Sequence, residues 1–144
     1  MSSFLITPLP AGAVDTGAGR PTVSDGRSPC RRCLRDAPAG VPLVLAPYNP
    51  FLVSSPYTGD GPVFVHADGC ERFESVPGSV SEQVIGRVLA VRAYDADAMM
   101  TGAVVLAGEE LSARVPELLD DARVSFLHVH FAGPGCFAFR VDRA

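Results

Sequence analysis

Apolar residues in this chain recur in short runs broken by Gly, Pro, Ser and Asp, a rhythm of strands and turns with little room for long helices. Phe4-Leu5-Ile6 is the first run, stopped by Pro8 and Pro10. From Pro8 to Pro29 the chain is rich in Gly, Ala, Pro and Ser and reads as loop. Pro42 to Tyr48 and Pro62 to His66 read as two strands joined by a Pro-, Ser- and Gly-rich loop. Val84 to Val91 alternates irregularly and leads into Arg92-Ala93-Tyr94-Asp95, and Thr101 to Ala107 is a second β-like run beyond a turn. Val124 to Phe131 and Cys136 to Val141 flank Ala132-Gly133-Pro134-Gly135, which predicts a hairpin.

One segment keeps a helical period. Leu111, Val115, Leu118 and Leu119 recur between Glu109 and Asp121, with acids at the start and Pro116 inside to limit or kink the helix. No internal repeat is visible. The sum predicts a β-rich α+β fold as a single domain over residues 1–144: a mostly antiparallel sheet with one main helix, braced by a zinc-binding, treble-clef-like segment. Within it, 1–29 is a loop-rich N-terminal segment, 30–76 the zinc-binding segment, and 84–143 sheet and helix.

Composition narrows the function classes. With 144 residues, 47% of them hydrophobic, the chain can bury a core of its own. A net charge of -4 argues against non-specific affinity for nucleic acid, which rests on an excess of positive charge. Every basic residue is Arg and none is Lys, a bias expected of a GC-rich bacterial genome. Neither a membrane-length apolar run nor a basic n-region before a cleavable h-region is seen, so the expectation is a cytoplasmic protein with reduced thiols and no membrane partner.

Cys30-Arg31-Arg32-Cys33 with His66 and Cys70 has the spacing C-x2-C and H-x3-C. Three thiolates and one imidazole can close a tetrahedral zinc site with no open position, so zinc is the expected cofactor and its role structural. Arg31, Arg32 and Arg35 can offset the site's charge and donate hydrogen bonds to sulfur. The competing readings are ordinary buried cysteines and a redox dithiol, the latter weak without a surrounding βαβ pattern. Pro29-Cys30-x-x-Cys33 also matches half of the zinc deaminase signature. No His precedes it, however, and His66-Ala67-Asp68 carries Asp where that chemistry needs Glu.

The second constellation is Leu127-His128-Val129-His130-Phe131, followed across the turn by Cys136 and Arg140. Positions i and i+2 of a strand share a face, so both imidazoles can grip one metal or one anion. If Phe131 opposes Cys136 the histidines face Phe137 and Phe139; a one-residue shift sets them against Ala138 and Arg140.

Pro29-Cys30-Arg31, Ser55-Pro56-Tyr57, Gly61-Pro62-Val63-Phe64-Val65, Arg92-Ala93-Tyr94-Asp95, His128-Val129-His130, Gly135-Cys136-Phe137 and Arg140 together resemble an uncharacterised bacterial family catalogued as domain of unknown function 1203. The resemblance spans about Cys30 to Arg143 and implies no activity. It implies that the Pro-Cys-Arg start and the terminal H-x-H with Gly-Cys are shared features, and that Cys33, His66 and Cys70 belong to a subset of members. On that basis His128, His130 and Arg140 are the candidate catalytic residues, with Cys136, Arg92 and Tyr94 as ligand-binding neighbours. Two functions remain open. One is a zinc-stabilised domain whose His/Arg pocket holds an anionic small molecule or partner. The other is an enzyme using His128 or His130 as general base or metal ligand.

Overall fold

A computed structural model describes residues 3–144. In chain order the strands are β1 (Phe4–Thr7), β2 (Arg20–Val23), β3 (Ser28–Pro29), β4 (Asp36–Ala37), β5 (Pro42–Tyr48), β6 (Gly61–His66), β7 (Val88–Tyr94) and β8 (Met100–Ala107). Helix α1 (Leu111–Leu119) follows, and β9 (Phe126–Phe131) and β10 (Phe137–Arg143) close the chain. The main sheet has five antiparallel strands in the order β1-β10-β9-β7-β8. A second sheet runs β2-β5-β6, and β3 pairs with β4.

The main core lies on the α1 side of the large sheet. Alternate residues Leu127, Val129 and Phe131 meet Leu89, Val91 and Ala93 across one seam and Phe139 and Val141 across the other. Leu111, Val115 and Leu119 cover them from α1. Each such burial contributes about 1.5–3 kcal/mol. Together they outweigh Pro116, whose missing N–H inside a helix costs ~3 kcal/mol.

β9 sits at the centre of the sheet and all six of its residues are buried. On its other face, Phe126 and His128 are roofed by Phe51 of the 49–60 loop, whose ring centroid lies 4.7 Å from that of His128, while His130 packs against Phe137 at 5.8 Å. A strand covered on both sides shows no alternation, which is why its exposure is not readable from the sequence.

Two departures from the sequence reading have local causes. The stretch 8–29 contains β2, an edge strand whose residues are mostly exposed and include Pro21. It is held by backbone pairing with β5 from Arg20↔Leu45 to Val23↔Pro42, a signal that its own side chains do not carry. The run expected from Val84 breaks instead into a short 3-10 turn (Glu82–Val84), because Gly86 takes φ +74° and β7 starts only at Val88. After Cys70 the chain has no regular secondary structure over 71–76, and a turn follows at 77–78.

Candidate metal centre and the histidine row

The Cys30–Cys33 turn joins β3 to β4. The Cys30 carbonyl accepts from Leu34 N (3.1 Å), and Cys30 N donates to the Arg35 carbonyl (3.1 Å). Leu34 turns the chain at φ +55°, a left-handed conformation that costs a non-Gly residue roughly 1–2 kcal/mol. Its fully buried side chain in the main core offsets that cost and fixes the turn to the large sheet. The hydroxyl of Ser81 donates to the Leu34 carbonyl, and Phe73 N to that of Arg32 (2.9 Å). Cys30 also bridges in parallel to Phe64 of β6, which brings the turn beside His66 at the end of that strand. Gly69, at φ +83°, bends the chain back so that Cys70 joins them.

The result is a cluster in which one ligand atom from each of Cys30, Cys33, His66 and Cys70 lies within 4.8 Å of all the others. Cys30 Sγ and Cys70 Sγ are 3.8 Å apart, and Cys33 Sγ is 3.8 Å from His66 Nδ1. Thiolates at ~2.3 Å from one tetrahedral ion sit about 3.8 Å from each other, whereas a disulfide closes to about 2.05 Å. All four cysteines are free thiols. The donor set and its spacing fit a closed four-coordinate metal.

Arg31 points away from this cluster. The residue is 1% exposed, and its guanidinium donates to the Phe137 carbonyl (2.7 Å), the Pro29 carbonyl (2.5 Å) and Cys136 Sγ (2.9 Å). Cys136 therefore serves the Arg31 side of the hairpin turn.

Across the sheet, His128 lies directly between Arg92 of β7 and Arg140 of β10. Neither register expected from the sequence holds along the whole hairpin. A bulge between Phe137 and Phe139 sets His130 opposite Phe137, and His128 opposite Arg140. His128 is fully buried, with ring centroids of Phe51, Tyr94, Phe126 and Phe137 at 4.7, 5.3, 5.0 and 5.0 Å. Neither of its nitrogens has a hydrogen-bond partner among the described residues. His130 Nδ1 lies 3.0 Å from the Gly135 carbonyl, which can only accept, so Nδ1 carries the proton. Arg140 forms a forked ion pair with Asp142 (2.9 Å) and lies 4.1 Å above the ring of Phe126.

A family model described as Protein of unknown function (DUF1203) matches residues 27–143. The chain belongs to that family. No curated protein and no solved structure matches it.

Electrostatics separate the two constellations of this DUF1203 chain. In the cysteine cluster, a hydrogen bond from Cys33 pulls the Cys30 thiol down to about 4 against the opposing effect of burial. The Cys33 thiol is pushed up by giving that hydrogen bond, and then by burial. Burial, followed by the charge on Cys30, raises Cys70. The cluster by itself thus holds one thiolate, and a cation would draw off the remaining thiol protons. In the histidine row, burial first and then the nearby His130, Arg140 and Arg92 drive His128 down to about 3. His130 falls to about 4, mainly by burial, with the Gly135 hydrogen bond opposing. Both rings are neutral at pH 7.

The structure brings Cys30, Cys33, His66 and Cys70 into one cluster, and His128, His130, Arg92, Tyr94 and Arg140 onto one covered face. Cys136 joins Arg31 instead. The Arg31–Cys136 contact spans 105 residues of sequence, and nothing in either local pattern pointed to it.

Proposed function

We propose that this DUF1203 protein is a small zinc-braced domain in which Cys30, Cys33, His66 and Cys70 hold one structural ion. The observation that carries this reading is the convergence of four soft ligands from separate turns within 4.8 Å. Three thiolates and an imidazole select zinc among abundant cations and leave no coordination position for a substrate. The order of turn, β5–β6 hairpin and second ligand pair supports the treble-clef likeness as far as Cys70, although the usual final helix is absent there. Thiols that must stay reduced suit a reducing compartment such as the cytoplasm.

The same packing argues against using His128 or His130 as a general base. A base must accept a proton near the working pH, and burial among aromatic rings beside two guanidiniums works against the imidazolium. The histidine row is better read as the buried centre of the sheet.

Protein purified without chelator should carry about one equivalent of zinc, and Cys33→Ser should lose most of it. Elemental analysis decides the matter. Less than a tenth of an equivalent in the wild type would overturn the proposal.

A further inference from the structure

Beside the hairpin turn lies a cleft of about 390 Å³, walled by Arg27, Arg31, Arg87 and Cys136 with Phe64 and Phe131 as its main aromatic surfaces. It is separate from the cysteine cluster: none of Cys30, Cys33, His66 or Cys70 lines it. Three arginines line it in a chain whose net charge is -4. Arg87 has a carboxylate, Asp36, at 2.9 Å. Arg31 has none among the described residues: its hydrogen bonds go to two backbone carbonyls and the Cys136 sulfur.

A buried cation whose hydrogen bonds go only to neutral carbonyls and a thiol is compensated without direct pairing, by the nearby Cys30 thiolate, and an anion in the cleft would pair with it directly. The guanidinium has five N–H donors; three are used, which leaves two. Arg31 and Arg87 both lie 5.1 Å from the Phe131 ring centroid, so their planes are held in place against an apolar surface. Such a cleft sets guanidinium charge directly beside an apolar, aromatic wall. Its volume suits a molecule of small-metabolite size.

The geometry points to a binding site for a small apolar or aromatic molecule bearing one carboxylate or phosphate. Its oxyanion meets Arg31 and Arg27, and its hydrocarbon part lies along Phe64 and Phe131. This goes beyond the metal brace and does not depend on which ion the cysteine cluster holds. Cys136, partly exposed on the cleft wall, reports on occupancy.

The test uses the full chain as purified, titrated with benzoate and with phenyl phosphate, with benzyl alcohol as the uncharged control. Alkylation of Cys136 by iodoacetamide is followed by the mass of its peptide. At least one of the two anions should slow alkylation saturably, and benzyl alcohol should not. Arg27→Ala should weaken that protection roughly tenfold, the worth of one charge-assisted hydrogen bond. Arg31 is too deeply packed to be a clean variant, so Gly133→Trp provides the second. A Cβ at Gly133 meets nothing within 4 Å on the cleft rim, so the fold should persist, its melting temperature unchanged, while protection disappears. Protection by neither anion, equal protection by benzyl alcohol, an unaltered Arg27→Ala, or a folded Gly133→Trp that is still protected would each overturn the site. Zinc content of the same sample keeps a failure here distinct from a failure of the brace.

Discussion

His128 shows how a single residue can mislead when read by type alone. An imidazole is a ligand or a base only if a nitrogen can be reached, and here both are buried with no protein partner. His128→Phe should therefore stabilise the protein at pH 7 by about 1–3 kcal/mol, the cost of an unsatisfied buried polar group. The pH dependence has a defined sign. Because folding lowers the His128 pKa from 6.5 to about 3, the unfolded chain binds the extra proton. Stability is then full above pH ~6.5 and lost as pH falls from there toward the folded value. Denaturant melts at several pH values should show the variant's advantage widening below pH ~6.5; a variant less stable than wild type at pH 7 would mean that the ring nitrogens are in use. A second residue-scale expectation concerns the thiols. With Cys30 ionised and Cys33 and Cys70 held protonated near neutrality, zinc binding at pH 7 should release about two protons, measurable with an indicator dye in weak buffer. Release of none would mean that the site is already fully ionised.

At the scale of elements, close approach explains positions that hydrophobic pattern cannot. Gly108 opens the turn into α1, and a Cβ there would lie 1.7 Å from the carbonyl oxygen of Val84. Backbone cannot yield that distance without separating the Glu82–Val84 turn from the start of α1. Gly108→Ala should accordingly cost at least about 3 kcal/mol, at or beyond the upper end of ordinary overpacking, as a drop in the denaturation midpoint. A loss under about 0.5 kcal/mol, typical of a surface change, would show that the two turns are not rigidly apposed. The bulge in β10 is a second device at this scale. By inserting one residue between Phe137 and Phe139 it places an aromatic ring against one histidine and a guanidinium against the other.

For the molecule as a whole, the metal segment and the large sheet are mechanically joined. Leu34 enters the main core from the Cys30–Cys33 turn, and Arg31 ties the same turn to Cys136 and Phe137 of the terminal hairpin. Removing zinc with a strong chelator should lower the melting temperature and speed amide exchange in 28–37, 61–76 and 131–137. Amides of β7 should stay protected, because their partners lie within the large sheet. Exchange spread evenly over the chain would mean global unfolding, and unchanged exchange together with an unchanged melting temperature would remove the brace.

What the sequence determined by itself is local or periodic. The spacings C-x2-C and H-x3-C, the apolar runs of β5, β6 and β10, the helical period of α1 and the Gly-Pro-Gly turn each depend on residues close in the chain, and their elements were legible for that reason. Tertiary structure alone decided the rest. β2 exists because β5 offers it a backbone partner, and Phe51 of the 49–60 loop covers His128. The cleft depends on side chains from 27–31, 64, 87–88 and 131–136 that only the folded topology assembles. Arg31 makes the division plain. Its place beside Cys30 suggested a partner for the metal site, but burial against the terminal hairpin turned its charge toward Cys136, because the direction of a side chain is set by what packs around it and not by its neighbour in sequence.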